Sequence, residues 1–290
     1  MKYGLQVITA WSETGQDVQD CARFLLRLTV EADKAGWDGV FLWDHLFFPW
    51  VTPLAEPWTV LAAASSLTER VRLGTNVTPI PRRMPQNLAK QLSTLDHLSG
   101  GRVVLGAGLG GAGEGDDAGT EFSGFGLPSD YRTLGEMTDE ALDVITALWS
   151  GEQVNYAGRH YTVNGVTFQP TPLQRPRIPV WVGGSSPGAL KRAAKWDGWV
   201  PAGSAPSAGF PGLSVDEVED KLSVIMEHRT TGAPFDVCYG LEWPDDRKML
   251  RTLADNAGSA GVTWLLDSIF GLKYSGEEAL DRVREGPPDL

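Results

Sequence analysis

Cysteine is scarce: Cys21 and Cys238 stand far apart, outside any CxxC or Cys/His spacing. Neither a disulfide framework nor a structural zinc site is expected, and no metal is implied. A reducing cytoplasm suits that usage. Basic residues are also few, with 25 Lys+Arg against 37 Asp+Glu for a formal net charge of −12, and no long basic run occurs. Such a field repels phosphate backbones and anionic lipid surfaces, which argues against nucleic-acid and membrane partners. Apolar runs stay well short of the roughly 18 residues that a membrane span needs. The opening Met1-Lys2-Tyr3-Gly4-Leu5-Gln6-Val7-Ile8 is too short and polar for a signal-peptide core. The expectation is a soluble, cytoplasmic protein.

What is abundant is core material: 42% of the 290 residues are hydrophobic, with 34 Gly, 19 Pro and 11 Trp. Length alone permits one domain or two, although α/β barrels use about this length for one. Short apolar or β-branched runs recur at Leu5–Ala10, Gly39–Trp43, Val71–Val77, Arg102–Ala107, Ile178–Val182, Gly198–Pro201, Asp236–Leu241 and Val262–Asp267. One-faced helical spacing lies between them, as in Cys21, Leu25, Leu28, Ala32, Ala35, then Leu88, Leu92, Leu95, then Met137, Ala141, Val144, Leu148, and Val215, Val218, Leu222, Ile225. Strand followed by helix, repeated about eight times, predicts an α/β fold that closes as a (β/α)8 TIM barrel over residues 1–290; a doubly wound sheet is the alternative. Two insertions break the rhythm. Gly108–Asp130 follows the fourth strand, and Gly151–Arg177, whose residues 154–163 alternate like a hairpin, precedes the fifth. A third irregular stretch, Ala202–Gly212, follows the sixth.

Barrels build their sites where strands give way to loops. That rule selects Trp11, Trp43-Asp44-His45, Asn76-Val77-Thr78, the Gly108 loop, Gly183-Gly184-Ser185-Ser186, Glu242-Trp243 and Asp267. His45 sits at a strand end beside a carboxylate, where an imidazole can be oriented for proton transfer. Asp44 reads either as catalytic or as a loop-capping carboxylate. His97 reads as a helix C-terminal dipole partner, and His160 and His228 as surface positions. Gly106-Ala107-Gly108-Leu109-Gly110-Gly111 satisfies GxGxxG but leads into more Gly and Asp instead of a helix, so the dinucleotide-fold reading fails on context. These glycines permit close backbone approach to a flat ring or a phosphate, or form a flexible connector. Gly183–Gly188 runs from a strand into a helix start, suited either to one phosphate or to ordinary capping. Trp43, Phe47, Phe48, Trp50 and Trp58 either wall an apolar pocket or form a satellite core. Arg82-Arg83 reads as a solvated pair.

The ordered set Gly36-Trp37-Asp38-Gly39-Val40-Phe41-Leu42-Trp43-Asp44-His45, Arg72-Leu73-Gly74-Thr75-Asn76-Val77, Leu95-Asp96-His97-Leu98-Ser99-Gly100-Gly101-Arg102, Gly106-Ala107-Gly108 and Pro179-Val180-Trp181-Val182-Gly183-Gly184 resembles the bacterial luciferase-like flavin-dependent oxidoreductases. Many of these use the deazaflavin coenzyme F-420 in place of FMN. The resemblance covers roughly residues 1–200. It implies a barrel with the cofactor ring at the C-terminal mouth and His45 as the active-site histidine. It also implies a strand-three bulge at Asn76-Val77 that often holds a non-prolyl cis peptide, with Thr78 next to it. Backbone at Gly108, Leu109 and Gly110 would lie under the cofactor tail, Gly183, Gly184, Ser185 and Ser186 would form the phosphate loop, and Trp11, Trp43, Phe47 and Trp50 would line the substrate pocket. Some members carry an arginine in the Gly loop that grips the FMN phosphate, and sugar-phosphate dehydrogenases carry a glutamate just beyond; here those positions hold Leu109 and Gly111. Asp44-His45 is the dipeptide common in the deazaflavin branch. The leading expectation is a monooxygenase acting on a small organic substrate with reduced FMN and oxygen, a flavin reductase supplying the cofactor. The alternatives are F-420-dependent hydride transfer and a non-catalytic flavin-binding protein. Pairing of family members on one barrel flank implies a homodimer.

Overall fold

Runs of β-branched and apolar residues that are buried on both faces can only be satisfied between two layers, and here they become the parallel staves of a closed barrel. The computed structural model describes residues 1–9, 21–47, 54–111, 120–201, 212–270 and 273–288. Its strands are β1 (Lys2–Val7), β2 (Gly39–Leu42), β3 (Arg72–Thr75), β4 (Thr78–Pro79), β5 (Val103–Gly108), the hairpin β6 (Gln153–Ala157) and β7 (Thr162–Thr167), then β8 (Val180–Gly183), β9 (Gly198–Val200), β10 (Asp236–Leu241) and β11 (Trp264–Ile269). Parallel pairing runs β3-β2-β1-β11-β10-β9-β8-β5, and β3 pairs with β5 to close the ring. The eight-stave barrel is therefore as the periodicity predicts, with small shifts of register. β1 starts at Lys2 because its pairing with β11 begins at Lys2 opposite Trp264. The third stave is split into β3 and β4 by Asn76-Val77, whose peptide bond is cis. Of the expected Leu5–Ala10 strand, Ala10 lies outside the described residues, as do residues 202–211 of the third irregular stretch.

The helices are α1 (Cys21–Ala35), α2 (Pro57–Ser65), α3 (Pro85–Leu98), α4 (Thr120–Ser123), α5 (Tyr131–Trp149), α6 (Pro187–Ala193), α7 (Val215–His228), α8 (Arg247–Ser259) and α9 (Gly276–Arg284). Most wear one apolar stripe: α1 buries Leu25, Leu28 and Ala32, and α5 buries Leu134, Ala141, Ile145 and Leu148. Helix α2 escaped the periodic reading because its sequence, PWTVLAAAS, has almost no polar face to contrast with its apolar one. Its start is nonetheless marked by Pro57 in the first turn and by Glu56, whose side chain accepts from the Thr59 amide. The hairpin of the second insertion is tied to α5 by Glu140, which accepts from the backbone amides of Arg159, His160 and Tyr161.

Inside the ring the barrel is filled in layers. Phe41, Trp181 and Trp264 form an aromatic plug with centroid spacings of 5.2, 5.6 and 5.3 Å. These rings need room that neighbouring staves yield: a Cβ on Gly39 would come within 2.7 Å of the Phe41 ring and one on Gly198 within 2.5 Å of Trp181. Nearer the C-terminal strand ends lies a polar layer. Asn76 Nδ2 donates to Gln6 Oε1 at 2.6 Å, and Gln6 Nε2 donates to Ser268 Oγ at 2.6 Å. The plug closes the barrel from below, and the polar layer sits at the level where the open end begins.

Candidate active site

At the C-terminal mouth the described residues enclose a cavity of about 790 Å³, within the range of small-molecule and cofactor sites. Trp43 and His45 come from the end of β2, Asn76, Val77 and Pro79 from the split third stave, Gly108 to Gly111 from the end of β5, and Gly183 to Ser186 from the end of β8. Tyr131 and Gly135 of α5, with Gly188, Ala189 and Arg192 of α6, extend it outward. Of the residues expected to face a cofactor, Asn76, Val77, Gly108, Leu109, Gly110, Gly183, Gly184, Ser185 and Ser186 all line this one space. Thr78 does not. It is fully buried behind the wall, accepting from Trp58 Nε1 at 3.0 Å and donating to Asp44 Oδ2 at 2.8 Å.

The floor is made by side-chain absence as much as presence. Val77 occupies the space that a Cβ on Gly108 or Gly183 would enter, with closest approaches of 2.4 and 2.9 Å. Bare backbone from two staves thus surrounds one branched side chain, leaving a flat, apolar surface. At the far end Ser185 Oγ is buried without a hydrogen-bond partner among the described residues, a state uncommon for buried polar groups in folded proteins. Among the expected substrate-pocket residues, Trp43 lines the cavity, its ring 5.7 Å from the His45 imidazole and edge-on to Phe270 at 5.3 Å. Phe47 does not line it, its ring lying tilted against Phe125 with centroids 6.4 Å apart. Trp11 and Trp50 lie outside the described residues, as does Phe48.

The ionisable groups beside His45 are arranged differently from the sequence expectation. Asp44 is its neighbour in the chain but not its partner. Asp44 is 2% exposed and does not line the cavity. Its oxygens accept from Thr78, from Arg82 Nη2 at 3.0 Å, and from Arg83 Nε and Nη2 at 3.1 and 2.7 Å. The carboxylate that meets the imidazole is Glu121 of α4: Oε2 lies 3.2 Å from His45 Nδ1. Arg82 Nη1 donates to the same oxygen at 2.6 Å, and the Leu46 and Phe47 amides donate to Oε1. Arg82 and Arg83 are therefore not the solvated pair that the sequence suggests. Their side chains are 4% and 19% exposed, and they link the half-exposed Glu56 to the buried Asp44 and Glu121 in one chain of charges ending at His45. Two adjacent arginines at the end of a short 3-10 turn (Ile80–Arg82) and just after it carry no local sign of this, because their carboxylates come from three other places in the chain. Glu121 was equally silent, lying in a Gly- and Asp-rich insertion with no helical periodicity.

Burial pushes the Glu121 carboxyl up, but the hydrogen bond with His45, the Arg82 charge and the Leu46 amide outweigh it and hold the group below its ordinary range. Glu56 is lowered similarly, with Thr59 and Arg83 overcoming burial. An acid whose folded pKa is depressed adds stability that is complete above its unfolded pKa, about 4.3 for Glu, and that disappears as pH falls through the folded value. Asp267 acts in the opposite sense, since burial raises it despite Arg282. The difference in Tm between the wild type and Glu121→Gln should thus be largest above about pH 5 and shrink below about pH 4. Calorimetry across that range checks this, and a difference unchanged down to about pH 3 would remove Glu121 from the charge chain.

Comparison with known proteins gives the same picture of fold. A family profile described as luciferase-like monooxygenase matches residues 1–211. The "F420-dependent glucose-6-phosphate dehydrogenase" of Microbacterium testaceum is 38% identical over 177 residues, which is 59% of this chain and 49% of that protein. The chain spans about half the length of the first such curated relatives. Among solved structures, the monooxygenase RslO1 from Streptomyces bottropensis superposes with a TM-score of 0.74 at 22% identity, covering 98% of this chain and 97% of that one. The coenzyme F420 dependent tetrahydromethanopterin reductase from Methanopyrus kandleri does so at 0.70 and 17%, covering 98% of each. At these identities the structural likeness is one of fold.

Proposed function

The chain belongs to the luciferase-like monooxygenase family, whose members are oxidoreductases, and on that premise we propose that it transfers a hydride between coenzyme F-420 and a small uncharged organic substrate, with His45 exchanging the accompanying proton. The observation that carries this reading is the placing of His45: an imidazole held by a buried carboxylate, on the wall of the cavity that has the Gly108, Gly183 and Val77 floor.

The residues present suit such a cofactor. Asn76, Val77, Gly108, Leu109 and Gly110 would hold a flat ring against backbone. Gly183 to Ser186 would take its phosphate, supplying the buried Ser185 hydroxyl with the partner it lacks. When bound, the deazaflavin supplies hydride-accepting and hydride-donating chemistry, while the protein contributes orientation and electrostatics. An alcohol carbon that gives up a hydride leaves a hydroxyl proton to be removed as the carbonyl forms, and His45 is the group on this wall suited to take it. In the reverse direction it returns that proton. Trp43, beside His45, presents an apolar face to the substrate and excludes water from the reacting atoms.

Support for F-420 over FMN comes from Leu109, where an FMN-gripping arginine would stand, from Asp44-His45, and from the naming of the relatives at 38% identity as F420-dependent. Support for an uncharged substrate comes from the arginines around the cavity. Among the described residues, Arg82, Arg83 and Arg192 are each paired with carboxylates, Arg192 with both oxygens of Asp139. Binding to purified protein tests the cofactor: tryptophan fluorescence should fall on anaerobic titration with F-420 at micromolar concentration and change little with reduced FMN, because Trp43 lies on the cavity wall. Tight FMN binding with weak F-420 binding would overturn this in favour of oxygen-dependent monooxygenation. Binding of neither would overturn both.

A further inference from the structure

We propose that Glu121 is a positioning residue that holds His45 in a single tautomer, with the proton on Nδ1 and the lone pair on Nε2. This deepens the reading of His45 above and rests on it for its catalytic meaning, but the tautomer itself is a property of the protein without cofactor.

The argument begins with the inventory of donors around Glu121. Its side chain is 1% exposed. Oε1 accepts from the backbone amides of Leu46 and Phe47, and Oε2 accepts from Arg82 Nη1 at 2.6 Å while lying 3.2 Å from His45 Nδ1. Among the described residues, every hydrogen-bond partner of Glu121 other than the imidazole is a nitrogen that can only donate here. A carboxylate so surrounded is an acceptor at both oxygens, so the imidazole nitrogen facing it must carry the hydrogen. In neutral histidine that leaves the lone pair on Nε2, the reverse of the tautomer commoner in water.

Arg82 makes the arrangement rigid. It spans from Glu121 to both the carbonyl and the carboxylate of Asp44, at 2.6 and 3.0 Å, and so ties the carboxylate to the residue preceding His45. The two amides that Glu121 accepts belong to the two residues following it. The backbone on both sides of His45 and its ring nitrogen are therefore referred to one carboxylate, which constrains ring position as well as protonation. Such a pairing, in which a buried carboxylate fixes the tautomer and orientation of a histidine, is the physical content of the second member of a catalytic dyad. Here it is supplied from the insertion after the fourth stave, 76 positions away in sequence.

The test uses the protein labelled with 15N at its histidines, of which there are four, with His45 assigned by comparison with His45→Asn. At a pH where the imidazole is neutral, the wild-type spectrum should show His45 protonated at Nδ1 and not at Nε2. An Nε2–H signal, or the mixture seen in unfolded chain, overturns the proposal without any variant being needed. In Glu121→Gln the amide can face the ring with either its oxygen or its nitrogen, so the Nδ1–H preference should be lost. F-420 quenching should still occur with a midpoint within about twofold of wild type, since Glu121 does not line the cavity. An unchanged tautomer in a folded Glu121→Gln protein overturns the proposal, and so does loss of F-420 binding confined to that variant, which would make Glu121 a cofactor contact. Failure of the wild type to bind F-420 would instead count against the cofactor reading and leave the tautomer result standing.

Discussion

Replacing His45 with asparagine should lower turnover by about 10²–10⁴-fold, the usual contribution of a positioned general acid or base, while changing F-420 affinity little. The reason is geometric: the imidazole lies on the cavity wall beside Trp43, whereas the floor and the Gly183 to Ser186 end of the cavity do not involve it. Its replacement should also have a small effect on folding, because the Arg82–Asp44 and Arg82–Glu121 pairs persist without it. Steady-state kinetics with fluorescence titration of the same preparation separates the two quantities. Equal losses of affinity and turnover would show that His45 mainly binds. A protein that binds cofactor but turns over nothing in either form would be a carrier on the same fold, since fold alone does not imply activity.

Asp44→Ala should do the reverse, lowering stability first. The Asp44 carboxylate receives Thr78 Oγ1 at 2.8 Å and contacts from two guanidiniums, the buried Arg82 and the half-buried Arg83, at 3.0 and 2.7 Å. Removing it strips Arg83 to its half-exposed partner Glu56 and leaves Arg82 with Glu121 and a backbone carbonyl. Breaking one partner out of a buried charge pair costs about 3–5 kcal/mol, far above the 0–1 kcal/mol of a surface bridge. For a chain of this length that corresponds to a fall in Tm on the order of 10 °C. Arg82 Nε is buried without a partner among the described residues, and burial already works against the guanidinium charge, so there is little slack to absorb the loss. A fall of under about 2 °C in calorimetry would place the network with surface bridges and would undercut the claim that it fixes the β2 end. Asp44→Asn, which keeps the shape and some hydrogen bonds, should fall between.

Set side by side, the two variants distinguish adjacent residues with opposite duties. Sequence placed Asp44 and His45 together as a catalytic candidate pair, and adjacency in the chain made the carboxylate the natural partner of the imidazole. On a strand end, however, successive side chains point to opposite sides. His45 faces the cavity and Asp44 faces the layer behind it, where Thr78 and the two arginines wait. At the break in the third stave the alternation is interrupted: Asn76 and Val77 both line the cavity, while Thr78 lies behind it.

Much of the molecule was legible before any coordinate. Eight apolar runs, several of them followed by one-faced helical segments, point to a parallel sheet, because burial on both faces satisfies such strands. Strand-end residues and the glycine clusters then mark the mouth, since a backbone without Cβ atoms is local information. Helix α2 was lost for an equally local reason, the want of a polar face. What the tertiary structure alone decided is which charges meet. Positions 44, 82 and 121 lie on β2's end, a 3-10 turn and an insertion helix. The side-by-side pairing of the second, third and fourth staves brings them within hydrogen-bonding distance. Periodicity is a property of neighbours along the chain and can be read from it, whereas an ion pair in a dry interior depends on distances between elements and on the desolvation they share. The sequence by itself therefore determined the barrel and the location of its mouth; the fold chose Glu121 for His45 and turned two apparently solvated arginines into the buried frame that holds the site.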